Sequence, residues 1–155
     1  MKIIIEPIGI INTPFKNKEE CPIQGSYSTG SIGTVELFKE HEEGLKDIET
    51  FSHIYLIYYF DQASEIKYVR PTFLDDKKHG IYASRHPCRP NSIGISIVKL
   101  LNRNKNILNV SSIDVLDKTP LLDIKPYIPR HDIINEASEG WITNMEFREK
   151  PPNRE

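Results

Sequence analysis

Cysteine is scarce in this chain. Cys21 and Cys88 are the only two in 155 residues, they lie far apart, and neither belongs to a CxxC pair. That excludes a disulfide framework or a zinc knuckle as the organising device and makes the reducing cytoplasm the expected setting. Long apolar runs are missing as well, since no stretch approaches the roughly 18 residues of a membrane-spanning helix. The opening "MKIIIEPIGIINTP" is interrupted by Glu6 and Pro7 and lacks a small-residue cleavage site, so it does not read as a secretory leader. His41, His53, His79, His86 and His131 show no HxH or HExxH spacing, so no metal is expected. No GxGxxG follows a strand and no GxxxxGKS/T occurs, which disfavours a doubly wound nucleotide-binding fold. A GxSxG nucleophile elbow is also missing.

What remains is a globular composition, with 27% charged and 38% hydrophobic residues. A chain of this size fits one domain that buries roughly 68–70% of its unfolded surface. Net charge is only −2, but it is unevenly spread. From Lys67 to Lys105 nine Lys/Arg face only Asp75 and Asp76, a balance of +7 that leaves −9 elsewhere. Such segregation suits one face that attracts a polyanion, although a solvated basic loop fits the count equally well.

Short β-branched and aromatic runs follow one another between Gly, Pro and Asn turns. Expected strands are "KIIIEPIGIIN", an edge or bulged strand because of Pro7, and "IGTVELF" at 32–38. "TFSHIYLIYYFD" at 50–61 reads as a central strand, with His53 as a core histidine. "IYASR" at 81–85, "SIGISIVKLLN" at 92–102, "ILNVSSIDVLD" at 107–117 and "LLDIKPYI" at 121–128 complete the set. The segment 39–49 is a short helical turn at most, weakened by Gly44. The pattern predicts an all-β fold, a single antiparallel β-barrel with little helix. It is expected over residues 1–141, with 142–155 as a loosely ordered tail.

Two segments carry more polar chemistry than turns require. In "SRHPCRPNSIGIS" (84–96), Pro87 and Pro90 fix their own φ and push His86 and Arg89 toward extended backbone. A loop stiffened in this way loses less entropy when it grips a ligand. Arg85 and Arg89 offer planar donor forks for carboxylate or phosphate. In "SSIDVLDKTPLLDIKPYIP" (111–129), Asp114 and Asp117 are three apart and would point to opposite faces of an ideal strand. One of them must therefore sit where the strand ends, at the "DKTP" turn, unless it serves only to hydrogen-bond that turn. Asp61, at the end of an apolar strand, is a third charge in need of water or a partner.

These motifs, together with "FSHIYLIYYF", resemble the TsaA-like (TrmO-like) family of tRNA methyltransferases. The family pattern runs close to "TRxPxRPNPIGLS" followed by "DGTPxLDIKPYxP", and the likeness spans roughly residues 6–141. The resemblance implies an antiparallel barrel, S-adenosylmethionine as methyl donor and a homodimer. It also implies a tRNA substrate, methylated on N6 of threonylcarbamoyladenosine at position 37 in the anticodon loop. Carried over by motif, the donor pocket is lined by Ile23, Gln24 and Gly25 of "CPIQG", by Phe60 and Asp61, and by Arg85 and Ile95. Asp114, Val115, Leu116 and Asp117 complete it. By their chemistry, Arg89, Asn91 and Lys125 are assigned to the acceptor side, and the candidate bases are Asp61 and one of Asp114 and Asp117, with Asp61 preferred. Ser92 stands where the family has proline, Lys118 where it has glycine, and Asp61 where some members have histidine. A non-catalytic RNA-binding barrel and a small-molecule hydrolase are the competing expectations.

Overall fold

The computed structural model describes residues 1–24, 30–146 and 148. Six strands close into an antiparallel barrel in the order β1 (Gly9–Asn12), β2 (Ile32–Leu37), β7 (Ile107–Ser111), β6 (Ile93–Asn104), β3 (His53–Tyr59) and β8 (Thr119–Pro126). β4 (Val69–Pro71) and β5 (Lys78–Gly80) form a separate two-stranded ribbon. The expected all-β barrel is therefore present, and closure leaves none of its strands at an edge. β1 begins only after Pro7 and pairs on both sides, so the edge role expected for it is corrected.

Alternation explains the wall. Ile54, Leu56 and Tyr58 of β3 point inward, and so do Gly94, Ser96, Val98 and Leu100 of β6. Ile11, Val35, Leu108, Val110 and Leu121 meet them in a core with essentially no solvent exposure. Each fully buried side chain of this kind stabilises the fold by about 1.5–3 kcal/mol. Gly9 lets β1 approach β2, because a Cβ there would lie 2.3 Å from the Glu36 carbonyl oxygen. On the outside, β6 presents Ile93, Ile95 and Ile97, and each of them is 40–50% exposed.

Several local expectations are overturned. "IYASR" is not a strand but a single 3-10 turn at Ile81–Ala83. β7 stops at Ser111, so the hairpin partner expected to reach residue 117 becomes a loop. His53 faces outward, with Nδ1 2.9 Å from the Ser52 hydroxyl, and is not a core residue. The segment after β8 forms one helical turn, α1 (Pro129–Asp132), and then returns to the body of the protein through Trp141.

Candidate active site

A cleft of about 920 Å³ opens at the end of the barrel where β3 finishes and β6 begins. Small-molecule sites usually enclose about 300–1,000 Å³. Its walls come from segments far apart in sequence: residues 18–24, the strand end around Phe60, the loop 82–89, residues 114–116 and residues 138–142. A second depression of about 510 Å³ lies at the β6–β7 hairpin, where Glu49, its only carboxylate, is 3.5 Å from Arg103.

The cleft floor is built on a hydrogen-bonded relay. Tyr58, Ser96 and Asp114 are linked, with 3.0 Å between the two hydroxyls and 2.5 Å from Ser96 Oγ to Asp114 Oδ1. An ionised carboxylate can only accept, so Ser96 spends its single proton on Asp114 and Tyr58 must donate to Ser96. Burial, reinforced by the Asp114 charge, pushes the Tyr58 phenol well above its usual pKa, so it stays protonated as a donor. The relay therefore aims Asp114 from inside the barrel. Gly94 makes room for it, because a Cβ there would stand 2.3 Å from the Tyr58 ring and 2.8 Å from Phe60.

Residues 82–89 form another wall. Arg85 Nη1 donates to Gln24 Oε1 at 3.3 Å, which ties the loop to the residue 21–24 segment. Arg89 Nη1 donates to the Ser84 carbonyl at 3.1 Å. His86 Nδ1 accepts from the Cys88 amide and from Arg70 Nη1, both at 3.1 Å. Two donors converge on that one nitrogen, so it is unprotonated.

Of the residues singled out from sequence, Ile23, Gln24, Phe60, Asp61, Arg85, Arg89, Ile95, Asp114, Val115 and Leu116 all line this cleft. Gly25 lies outside the described residues. Asp117, Asn91 and Lys125 are not among the lining residues. Asp117 turns the other way and accepts from the Thr13 amide at 2.9 Å and from Lys16 Nζ at 2.6 Å. Asn91 is exposed in a left-handed turn at φ 66°. Lys125 lies on the outer face of β8, 2.9 Å from Asp123. The divergence of Asp114 and Asp117 expected from their spacing is present, although in a loop and not in a strand.

That loop is stitched to the first strand's exit. Besides the Asp117 contacts, Thr13 Oγ1 donates to the Val115 carbonyl at 2.9 Å. Burial would raise the Asp117 pKa, but the Lys16 and Thr13 donors and the nearby Lys16 and Lys118 charges outweigh it and hold the group below its ordinary 3.8. A carboxylate depressed by folding stabilises fully above the unfolded value and stops doing so as pH falls through the folded one. Asp117→Asn is therefore expected to flatten the acid limb of stability below about pH 4. Thermal melts from pH 6 to pH 2 check this, and an unchanged acid limb would contradict it.

Two departures from the family motif have local explanations. Lys118 sits at φ 65°, where glycine is free of strain, and its Nζ donates to Asn12 Oδ1 at 2.6 Å in partial compensation. Ser92 sits at φ 45°, which a proline ring cannot adopt, and both its amide and its hydroxyl donate to the Arg89 carbonyl at 3.1 Å.

The structure also adds residues that the sequence did not disclose. Tyr58 and Ser96 looked like ordinary strand positions, yet inward polar groups on a barrel strand need partners, and that was the available signal. Trp141 stacks on His79 at 3.7 Å between ring centroids and donates Nε1–H to the Ala83 carbonyl at 2.8 Å. His79 in turn engages the buried Asp75 at 3.1 Å. This chain of contacts brings residues 138–142 onto the cleft. The basic segment 67–105 does not form one face. Arg70, Arg85 and Arg89 line the cleft, whereas Arg103 and Lys105 lie at the far hairpin, on the order of 30 Å away along β6 at about 3.3 Å per residue.

Comparison with known proteins follows the same outline. The family described as "tRNA-methyltransferase O N-terminal domain" matches residues 10–133. A probable S-adenosyl-L-methionine-binding protein of Pyrococcus abyssi is 49% identical over 92% of this chain and 77% of its own length. A tRNA (adenine(37)-N6)-methyltransferase of Mus musculus is 34% identical over 84% of this chain but only 32% of its own. A crystal structure of TrmO superposes with a TM-score of 0.79 at 38% identity, covering 90% of this chain and 64% of that one.

Proposed function

This chain belongs to the tRNA-methyltransferase O family, and from that premise we propose that it transfers a methyl group from S-adenosylmethionine to an adenosine of tRNA. The finer proposal is N6 of threonylcarbamoyladenosine at position 37, in the anticodon loop. A tRNA substrate would place this work in the cytoplasm.

One observation carries the reading: apolar, anionic and guanidinium groups converge on one cleft large enough for a nucleoside and a side chain. Phe60, Ile95, Val115 and Leu116 offer surface to an adenine ring, and Asp114 offers an acceptor for ribose hydroxyls or an ammonium. Arg85 and Arg89 face the same space. The residues present thus fit the donor's three chemical parts. When bound, S-adenosylmethionine supplies an electrophilic methyl carbon on a sulfonium.

The protein's task is then alignment and proton removal. The relay from Tyr58 through Ser96 holds Asp114 in a fixed orientation, so little reorganisation accompanies binding. The acceptor nitrogen is conjugated with a carbonyl and is a poor nucleophile until its proton leaves. Asp61 is exposed at the cleft lip and is the group we assign to take that proton. An anticodon-loop base unstacked from its neighbours can be read by such side chains.

A second copy of the chain belongs to the same proposal. Ile93, Ile95 and Ile97, next to the 43%-exposed Tyr59, make an apolar outer row that continues into the cleft through Ile93 and Ile95. Light scattering at twice the chain mass is expected, and a monomer at high concentration would contradict it.

Methyl transfer itself is tested by incubating the protein with donor and tRNA and analysing the nucleosides by mass spectrometry. Methylated threonylcarbamoyladenosine is the expected product. Methylation of plain adenosine alone would retain the enzyme and overturn the finer substrate. No methylated adenosine of any kind would overturn the enzyme reading.

A further inference from the structure

Among the described residues, Arg70 lines the cleft wall with no Asp or Glu paired to it. It sits on β4 opposite His79 of β5 and is half-buried, unlike the exposed Arg85. Its Nη1 donates to His86 Nδ1, a neutral acceptor that the Cys88 amide also uses. Its Nε is buried with no hydrogen-bond partner. Asp75, in the turn between β4 and β5, has both oxygens 3.1 Å from His79 Nε2 and is already engaged. Among the described residues no Asp or Glu forms an ion pair with Arg70. A guanidinium carries five donors, cannot be deprotonated, and is costly to seclude without an anion.

Charge on the cleft wall leans the same way. Lys18, Arg70, Arg85 and Arg89 stand against Asp61, Asp114 and Glu139. The bond to His86 Nδ1 fixes one arm of the Arg70 fork before anything binds.

We propose that Arg70 is the receptor for a carboxylate carried by the ligand, which completes its ion pair only in the complex. The inference deepens the methyl-transfer reading and rests on it. That reading offers two carboxylates, one on the amino-acid part of the donor and one on the threonyl group of the acceptor. Both are the planar anion that an arginine fork matches with two parallel hydrogen bonds.

The test compares the full chain with Arg70→Gln on two ligand pairs. The first pair is S-adenosylmethionine and its decarboxylated form, titrated calorimetrically. The second is one tRNA with and without the threonylcarbamoyl group, measured by filter binding. If the donor's carboxylate is the ligand, Arg70→Gln weakens S-adenosylmethionine roughly 10- to 100-fold and leaves the decarboxylated form unchanged. If the acceptor's is the ligand, both donor affinities persist and only the threonylcarbamoylated tRNA loses a comparable factor. Equal effects on both members of both pairs, including no effect at all, would overturn the assignment. Should Arg70→Gln fail to fold by circular dichroism, Arg70→Lys makes the same comparison. It keeps the charge and loses the fork, so a smaller loss confined to one carboxylate-bearing ligand is expected, and equal effects again overturn it. Failure of the unmodified protein to bind either donor would overturn the methyl-transfer reading, and this assignment with it.

Discussion

Asp61→Asn is expected to lower kcat for tRNA methylation by roughly 10²- to 10⁴-fold, the usual contribution of a positioned general base. The substitution keeps the side chain's shape and most of its hydrogen-bonding capacity while removing its ability to take a proton. Asp61 is exposed and follows the end of β3, so its loss opens no cavity and breaks no core contact. Donor affinity is therefore expected to stay within about twofold, because a group acting in the transition state alone changes kcat without changing ground-state binding. Single-turnover rates with saturating donor, set beside a calorimetric titration of the same variant, separate the two quantities. A variant that turns over at the parental rate would remove Asp61 from the reaction. A variant that binds donor poorly would make Asp61 a binding group instead.

Gly94→Ala should have a comparably large effect by a different route. The added methyl would meet the Tyr58 ring at 2.3 and 2.6 Å and Phe60 at 2.8 Å, and the first two contacts involve a ring that fills the barrel interior. Overpacking of this kind typically costs about 1–3 kcal/mol. The ring cannot yield without stretching its 3.0 Å link to Ser96, so Asp114 loses its orientation at the same time. A fall in melting temperature together with a loss of donor affinity of at least roughly 10-fold is the expected pair of results. Ser96→Ala should reproduce the affinity loss with a milder change in stability, since it cuts the relay without the clash. If Gly94→Ala melts lower but binds donor normally, the relay has no role in the cleft. If it melts and binds as the parent does, the packing described around Tyr58 is wrong.

Much of this architecture could be read from residue order. β3 and β6 are apolar runs rich in β-branched and aromatic side chains, so composition located them to within a few residues. The stiff loop before β6 was legible because two prolines and two arginines are excessive for a turn. What stayed hidden depended on distant segments. β4 and β5 are three residues each and include Pro71, too short for any periodicity to register. Asp114 and Asp117 look equivalent in sequence, and only the Thr13 and Lys16 donors, a hundred residues away, decide that Asp117 faces out of the cleft. The basic segment misled for the same reason. A count along the chain cannot see that β6 runs the length of the barrel and carries Arg103 to its opposite end. Arg70 was counted in that segment as one charge among nine, and its buried Nε became visible only when the ribbon was placed against His86.

By this proposal the methyl donor binds in one cleft, between the loop bearing Arg85 and the turn bearing Asp114. A crystal structure of the full chain with S-adenosylhomocysteine tests it most directly. Density for the nucleoside is expected inside the cleft, against Phe60 and Leu116, with polar atoms within hydrogen-bonding distance of Asp114 and an arginine. Density bound anywhere else on the barrel, or an empty cleft at saturating ligand, would contradict it.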